Sequence, residues 1–215
     1  PVDEAAIDAA MDRRRARGDG LSTARTEADA VEFLSGVYEG RTTGTAVTLM
    51  IRNLNTRSGD YAKTADLLRP GHADYTAYAK YEGFQDARGG GHFSGRLTAP
   101  LVAAGAVARQ LLALRGVRVG AHISSIYGIL DAALEDTADL RAVAEKDFPV
   151  LDDARGEEMK AAILEAKGDG DSVGGAIECA VTGLPAGLGA PDFGSNVEGL
   201  FAQYLFAVPA VKGVD

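Results

Sequence analysis

Apolar and polar residues follow one another along the chain at two spacings, one typical of helices and one typical of strands. Helical spacing predicts a first helix capped by Asp3 and later helices over His72–Glu82, Leu97–Leu114, Gly156–Lys167 and Ser195–Val208. Strands are predicted where β-branched or alternating apolar residues form short runs: Thr45–Asn53, Val117–Tyr127 and Val173–Val181. The pattern therefore predicts a chain of mixed helices and strands.

The first helix carries an apolar stripe that continues into an arginine. Ile7, Ala10 and Met11 lie at helical spacing, and Arg14 is the next position on the same stripe. We therefore expect the Arg14 side chain to point inward. The other arginines of this segment are expected to be solvated at the helix end, where cations suit the helix dipole: Arg13, Arg15 and Arg17.

The later segments give expectations about which side chains are covered. The alternation in "VRVGAHISSIY" places His122 on the polar face of its strand, so we expect a surface residue. In the strand that follows "GDGDS", Ile177 and Cys179 fall on the apolar face, and Cys179 is predicted to be a core residue. Ser195 and Glu198 have the spacing of a capping box ahead of the last helix.

Composition narrows the classes of partner. With 46% hydrophobic and 25% charged residues, the 215-residue chain can bury one domain or two small ones. A chain with a formal charge of −9 lacks the basic surface of a protein that binds nucleic acid or an anionic membrane, so we expect a small-molecule partner.

Arg109 and Gln110 interrupt the most apolar run, which predicts a buried helix instead of a membrane span. A single cysteine, Cys179, cannot form an internal disulfide or a cysteine metal cage, and it fits a reducing compartment, so the cytoplasm is expected.

The stretch "RPGHADYTAYAKYEGFQDARGGGHFSGR" contains two of the three histidines. Its proline and glycine predict a turn that presents His72 at or just before a helix start, where an imidazole can give or take a proton near neutral pH. Further on, glycines let backbone amides approach an anion, Ser94 adds a hydroxyl, and Arg88 and Arg96 offer forked donors. The spacing matches neither a P-loop nor the dinucleotide fingerprint, and a structural hairpin is an equal interpretation of the glycine run.

This stretch, with "EFLSGVYEGRTTGTAVTLMIRNLNTRSGDY" before it and "GDGDSVGG", "TGLPAGLGAPDF" and "AVKGV" after it, closely resembles the chorismate synthase family. The resemblance covers nearly the whole chain, in order. It implies an α+β fold similar to a β-α-β sandwich, present in part, and a carbon-oxygen lyase of the shikimate pathway and aromatic amino acid biosynthesis. The implied reaction is the anti-1,4-elimination of phosphate from 5-enolpyruvylshikimate 3-phosphate to give chorismate. The family needs reduced FMN and forms a homotetramer, and NADPH as an external reductant or an intrinsic flavin reductase activity both stay open.

The resemblance also assigns roles to residues. His72 matches the family's active-site histidine, which handles a proton at the reduced flavin. Arg14 and Arg96 match arginines near the phosphorylated substrate. The segment that contacts FMN in the family is matched by three consecutive residues: His92, Phe93 and Ser94. Many members have arginine where this chain has His92, so its role stays open between flavin contact and packing.

Family enzymes are longer at both ends. We therefore expect residues 1–215 to form a single incomplete domain that lacks the family's N-terminal and C-terminal segments. The alternative to an active lyase is an inactive fragment that binds phosphate-bearing ligands or associates with itself. An unrelated phosphate-binding module is a more distant alternative.

Overall fold

The computed structural model describes residues 1–16, 18–22, 27–53, 67–86, 91–135, 142–144, 146–192 and 194–215. Arg17 and Arg88 lie outside these described residues. The chain divides into two compact units: a first unit of residues 1–28 and 105–186, and a second unit of residues 29–104 and 187–215. The expectation of a single domain over 1–215 stays a prediction.

The described helices and strands are mixed along the chain, as the spacing of apolar residues predicts. In chain order they are α1 (Glu4–Arg14), β1 (Val31–Ser35), β2 (Val37–Tyr38), β3 (Arg41–Thr42), β4 (Thr48–Ile51), α2 (Asp74–Tyr81), α3 (Thr98–Ala113), β5 (Arg118–Ile126), β6 (Ile129–Leu130), α4 (Asp153–Gly168), β7 (Gly175–Thr182) and α5 (Val197–Phe206). Two 3₁₀ turns, Gly91–Phe93 and Gly95–Leu97, precede α3. None of the described helices is long and apolar enough to cross a membrane.

The first unit is built on an antiparallel sheet of three strands in the order β6-β5-β7. Helix α4 packs against β5 and β6, and its Met159 lies with Ile123 and Val150 in a buried cluster. Gly156 permits this approach, because a Cβ there would meet the Val150 side chain at 2.7 Å. The apolar face of α4 is thereby fixed over one part of the sheet.

Helix α1 of the same unit begins and packs as its sequence predicts. The Asp3 carboxylate accepts a hydrogen bond from the Ala6 amide at 3.1 Å, which confirms the cap. Ile7 and Met11 are buried. The Gln110 side chain accepts from the Asp3 amide at 2.8 Å and donates to the Asp3 carbonyl at 3.0 Å, so the start of α1 is tied to α3.

The second unit contains two small antiparallel sheets, β1 with β4 and β2 with β3. A β-bulge between Phe33 and Ser35 interrupts the first pairing, and Gly36 follows with φ +82°, where a Cβ would meet the Ala46 carbonyl oxygen at 2.5 Å. Only glycine fits this turn. Helix α2 is amphipathic and buries Ala77.

Two expectations about covered side chains in β7 and one about the cap of α5 are wrong. Cys179 is exposed and Ile177 is 66% exposed, because α4 lies over β5 and β6 and β7 is at the sheet edge. The cap of α5 is Asn196, whose side chain accepts from the Gly199 amide at 2.7 Å; it is not the Ser195 capping box. Helix α3 forms as predicted but buries small residues such as Ala103 and exposes Leu101 and Leu111.

Candidate active site

The His72 turn lies directly before helix α2, as the sequence predicts. The His72 amide donates to the Arg69 carbonyl at 3.3 Å, and Gly71 has φ +72°, a conformation that glycine adopts without strain. The helix then begins at Asp74. The short "RPGHAD" segment therefore brings three polar side chains into one group, which we call the His72 cluster: Arg69, His72 and Asp74.

Asp74 is the centre of the His72 cluster. Its Oδ2 accepts from the Arg69 amide at 3.0 Å and from the Arg69 Nε at 2.7 Å, and its Oδ1 accepts from Arg69 Nη2 at 2.9 Å. A forked pair of this kind is among the strongest that a carboxylate can make. The Arg69 hydrogen bonds hold the pKa of Asp74 well below its usual range. The carboxylate is therefore ionised throughout the neutral pH range.

His72 is oriented by this carboxylate. Its Nδ1 lies 2.6 Å from Asp74 Oδ1, and an ionised carboxylate can only accept, so Nδ1 carries a proton and donates. The imidazole is partly exposed, with 26% of its side-chain surface accessible. Arg69 Nη2 lies 3.2 Å from Nδ1 and 3.5 Å from Nε2. Because a guanidinium can only donate, Asp74 and not Arg69 is the hydrogen-bond partner of a protonated Nδ1. With Nδ1 fixed as a donor, Nε2 is the ring nitrogen that can give or take a proton.

Arg96 is paired with a carboxylate from a distant part of the second unit. Its Nη2 lies 3.1 Å from Asp29 Oδ1, and the Asp29 side chain is only 2% exposed. Ser94 caps the 3₁₀ turn that carries Arg96, because the Ser94 Oγ accepts from the Arg96 amide at 3.2 Å. The backbone and side chain of Arg96 are therefore both positioned.

The glycine segment before Arg96 closes tightly onto the chain. Gly91 has φ +52°, and a Cβ there would meet the Asp86 carbonyl oxygen at 2.6 Å, so a side chain is excluded at this position. His92 and Phe93 follow in a 3₁₀ turn and are exposed. The Phe93 ring offers an accessible aromatic surface next to the Ser94 hydroxyl.

Arg14 lies in the first unit, at the last position of α1. Arg14 is half-buried. It follows Met11 by three residues and so continues the helix face on which Ile7 and Met11 are buried. The inward direction expected for Arg14 is consistent with this burial.

A second polar group in the first unit was not foreseen. His122 is 1% exposed, so the expectation of a surface residue is wrong. Its Nδ1 lies 2.9 Å from Asp131 Oδ2 and its Nε2 lies 2.8 Å from Glu178 Oε2. Burial alone lowers the pKa of His122, but the hydrogen bonds with Glu178 and Asp131 outweigh it and raise the pKa above its ordinary value.

Asp131 connects this histidine to the start of α4. Its side chain is fully buried, and it accepts from the Leu151 amide at 2.6 Å and from the Asp152 amide at 2.9 Å. These backbone hydrogen bonds and the one with His122 lower the pKa of Asp131 against the opposing effect of burial. We call His122, Asp131 and Glu178 the His122 cluster. Glu178 lies directly opposite His122 in the β5–β7 register, a pairing that the sequence alone does not indicate.

These features define an α+β protein with a histidine oriented by a carboxylate and an arginine held by a buried aspartate. The model of the chorismate synthase family matches residues 1–215, and the chain belongs to this family. A protein named chorismate synthase from Aeropyrum pernix is 46% identical over 217 residues, which cover all of this chain and 56% of that protein. One from Dehalococcoides mccartyi is 43% identical over all of this chain and 58% of its own length.

A solved structure supports the fold. The chain is similar to a structure titled "Crystal Structure of Chorismate Synthase" with a TM-score of 0.76 and 28% sequence identity, over 99% of this chain and 60% of that one. The α+β fold that the resemblance implied is confirmed. The chain spans less than two thirds of the length of these relatives.

Proposed function

We propose that the protein is a lyase that converts 5-enolpyruvylshikimate 3-phosphate to chorismate and phosphate by an anti-1,4-elimination, with reduced FMN as its cofactor. Membership of the chorismate synthase family supports this activity. The observation that carries the proposal is the hydrogen bond of 2.6 Å between His72 Nδ1 and Asp74, itself held by Arg69. This orientation supports the proposal that His72 is a positioned acid–base group.

In this proposal His72 moves a proton through Nε2. Asp74 keeps the Nδ1 proton in place and stabilises the positive charge that the imidazole gains when Nε2 is protonated. The elimination balances without another reactant: a C–H bond and the C–O bond to phosphate break, a double bond forms, and a proton and phosphate leave. Reduced FMN, when bound, supplies electron density to the substrate with no net redox change.

The residues matched to the cofactor fit a flavin chemically. An exposed aromatic ring, Phe93, can pack against a flat aromatic group, and Ser94 retains a hydroxyl proton that it can donate while its oxygen accepts from the Arg96 amide. The residue before them, Gly91, has no room for a side chain of its own, because a Cβ there would meet the Asp86 carbonyl oxygen. We propose that His92, Phe93 and Ser94 contact FMN.

Arg96 and Arg14 are proposed to bind the anionic groups of the substrate. The substrate carries a phosphate and two carboxylates, and the chain has a formal charge of −9, so its cations must act locally. Loss of one positioned cation or hydrogen-bond donor at developing charge typically costs roughly a hundredfold to a thousandfold in rate. Asp29 holds the Arg96 guanidinium in place and acts through it.

The test is an anaerobic assay of the protein with reduced FMN and 5-enolpyruvylshikimate 3-phosphate that follows chorismate formation. His72→Ala should reduce the rate by roughly a hundredfold to ten-thousandfold, as expected for loss of a positioned acid–base group. Asp74→Asn should also reduce it, because the amide holds the imidazole in place less well. Glu82→Gln, which removes a charge at the other end of α2, is the matched control and should be neutral.

A second measurement separates binding from chemistry. FMN fluorescence should be quenched by the protein and by His72→Ala alike, and less by Phe93→Ala. Failure of the folded protein to form chorismate, or full activity of His72→Ala, would overturn the proposed activity.

The likeness to the family also supports proposals about the setting of the reaction. We propose that NADPH is an external reductant and that this protein does not itself catalyse the reduction of FMN by NADPH. We also propose that the protein forms a homotetramer and that it works in the cytoplasm. Flavin reduction by NADPH with the purified protein alone would contradict the first. Light scattering of the protein at several concentrations tests the second, and fractionation of the source cells tests the third.

A further inference from the structure

A cavity of about 620 Å³ lies in the first unit, between α1, the second half of α3 and the first residues of β5. All of its lining residues belong to this unit. Its volume is within the range of sites that hold small organic ligands, roughly 300–1,000 Å³. None of the residues assigned to the proposed lyase reaction lines it.

Two helices build the cavity with the same residue pattern. Helix α1 contributes Ala6, Ala9 and Ala10 followed by Arg13, which are positions at the 3- and 4-residue spacing of one helix face. Helix α3 contributes Ala106 and Arg109 at the same spacing, with Ala113 one turn further on. Alanine leaves open the space that larger side chains would fill. The inner surface is therefore apolar, and an arginine lies beside it on each helix.

The sheet adds a third cation and a hydroxyl. Arg118, the first residue of β5, pairs in register with Thr182, the last residue of β7, and both line the cavity. Among the described residues, no carboxylate pairs with the guanidinium groups of Arg13, Arg109 or Arg118, and none lines the cavity. Three cations around an apolar space stand out in a chain with a formal charge of −9.

We propose that this cavity binds a small organic anion: a carboxylate, sulfonate or phosphate group on an apolar body of one or two rings. The apolar body lies against the alanines, and the anionic group is bound by the arginines and by the Thr182 hydroxyl. Guanidinium groups suit each of these head groups, because they donate paired hydrogen bonds to planar or tetrahedral oxyanions. A bare inorganic ion would leave the apolar surface uncovered and should bind weakly.

The experiment uses 2-naphthoate as the anionic probe and 2-naphthamide as its neutral counterpart of the same shape. Carbon-13 labels on the alanine methyl groups report binding by NMR at the cavity itself. We expect saturable shifts of the Ala9, Ala10 and Ala106 methyl signals with 2-naphthoate, and at least about tenfold weaker binding of 2-naphthamide, since the charge-assisted hydrogen bonds are lost. Inorganic phosphate should compete poorly.

Variants test the roles of charge and space separately. Arg109→Gln and Arg118→Gln should each weaken 2-naphthoate binding by about tenfold. Arg115→Gln removes the same charge from a neighbouring residue that does not line the cavity, and it should change binding less than about twofold at physiological salt. Ala9→Leu fills the cavity from an exposed helix position and should abolish binding with all arginines present.

Far-UV circular dichroism of each variant shows whether it remains folded. The proposal is overturned if 2-naphthamide binds as tightly as 2-naphthoate, if only alanines away from the cavity respond, or if millimolar 2-naphthoate shifts none of these signals. The last outcome would follow if another polypeptide segment filled the space.

Discussion

Replacement of Asp131 by asparagine should destabilise the first unit more than any change at an exposed carboxylate. Asp131 is fully buried and accepts from His122 and from the Leu151 and Asp152 amides. An asparagine amide has one accepting oxygen, so one buried donor at least is left facing an NH₂ group. Removal of one partner of a buried charged pair costs about 3–5 kcal/mol. We therefore expect the free energy of unfolding of Asp131→Asn to fall by about 3 kcal/mol.

The effect should depend on pH with a defined sign. The folded state raises the pKa of His122, so the stabilisation from this group is fully present below the unfolded histidine pKa of about 6.5. It is lost as pH rises through the raised folded value. The folded state lowers the pKa of Asp131, so that contribution is present above about pH 4 and lost in stronger acid. In Asp131→Asn, the pH dependence of the free energy of unfolding that comes from His122 and from Asp131 should be smaller.

The assay is urea unfolding followed by circular dichroism over a series of pH values that begins below the ordinary histidine pKa of about 6.5 and extends well above it. Glu178→Gln should cost about 1 kcal/mol or less, because the Glu178 side chain is 47% exposed and water replaces part of the interaction. Glu157→Gln, which removes an exposed pair with Lys160 on α4, is the control and should be near neutral. An Asp131→Asn protein as stable as the unchanged protein, or an equal loss in Glu157→Gln, would refute the reasoning.

Two further predictions concern packing and the proposed anion site. Gly156→Ala should destabilise by roughly 1–3 kcal/mol in urea unfolding, because the new Cβ meets the Val150 side chain at 2.7 Å. Gly168→Ala, with nothing within 4 Å of the new Cβ, should be neutral or stabilising, and the opposite order would contradict the packing at α4. Asp29→Asn should weaken binding of 5-enolpyruvylshikimate 3-phosphate about tenfold in an equilibrium titration, because Arg96 loses its buried counter-charge; unchanged binding would show that Arg96 needs no such support.

Helices were predicted well because their signals are local. Asp3 caps α1, the helical spacing of Ile7 and Met11 marks its buried side, and α2, α3 and α4 lie within or close to the predicted spans. The turn that presents His72 could be anticipated for the same reason, whereas its hydrogen bonds with Asp74 and Arg69 were not predicted. Its turn and its helix start are encoded by adjacent residues, and the family resemblance added only the role of the histidine.

Sheet faces were predicted poorly because alternation identifies two faces and does not say which one is covered. His122 was placed on the solvent side as a polar residue, yet its ring is buried between carboxylates that satisfy both nitrogens. Its partner Glu178 is 56 positions away in the chain. The same limit explains Ile177 and Cys179, whose apolar face is left uncovered at the sheet edge.

The His72 cluster and the Arg96–Asp29 pair, both in the second unit, depend on the fold to different degrees. The His72 cluster is closed by hydrogen bonds within one short turn, so its geometry needs little more than the start of α2. Arg96 instead depends on Asp29, a residue near β1 whose backbone has φ 44° and whose carboxylate is buried. Only the folded unit brings Asp29 and Arg96 together. Loss of tertiary packing should release the arginine before it disorders the histidine. Substrate affinity would then be lost before the acid–base group loses its orientation.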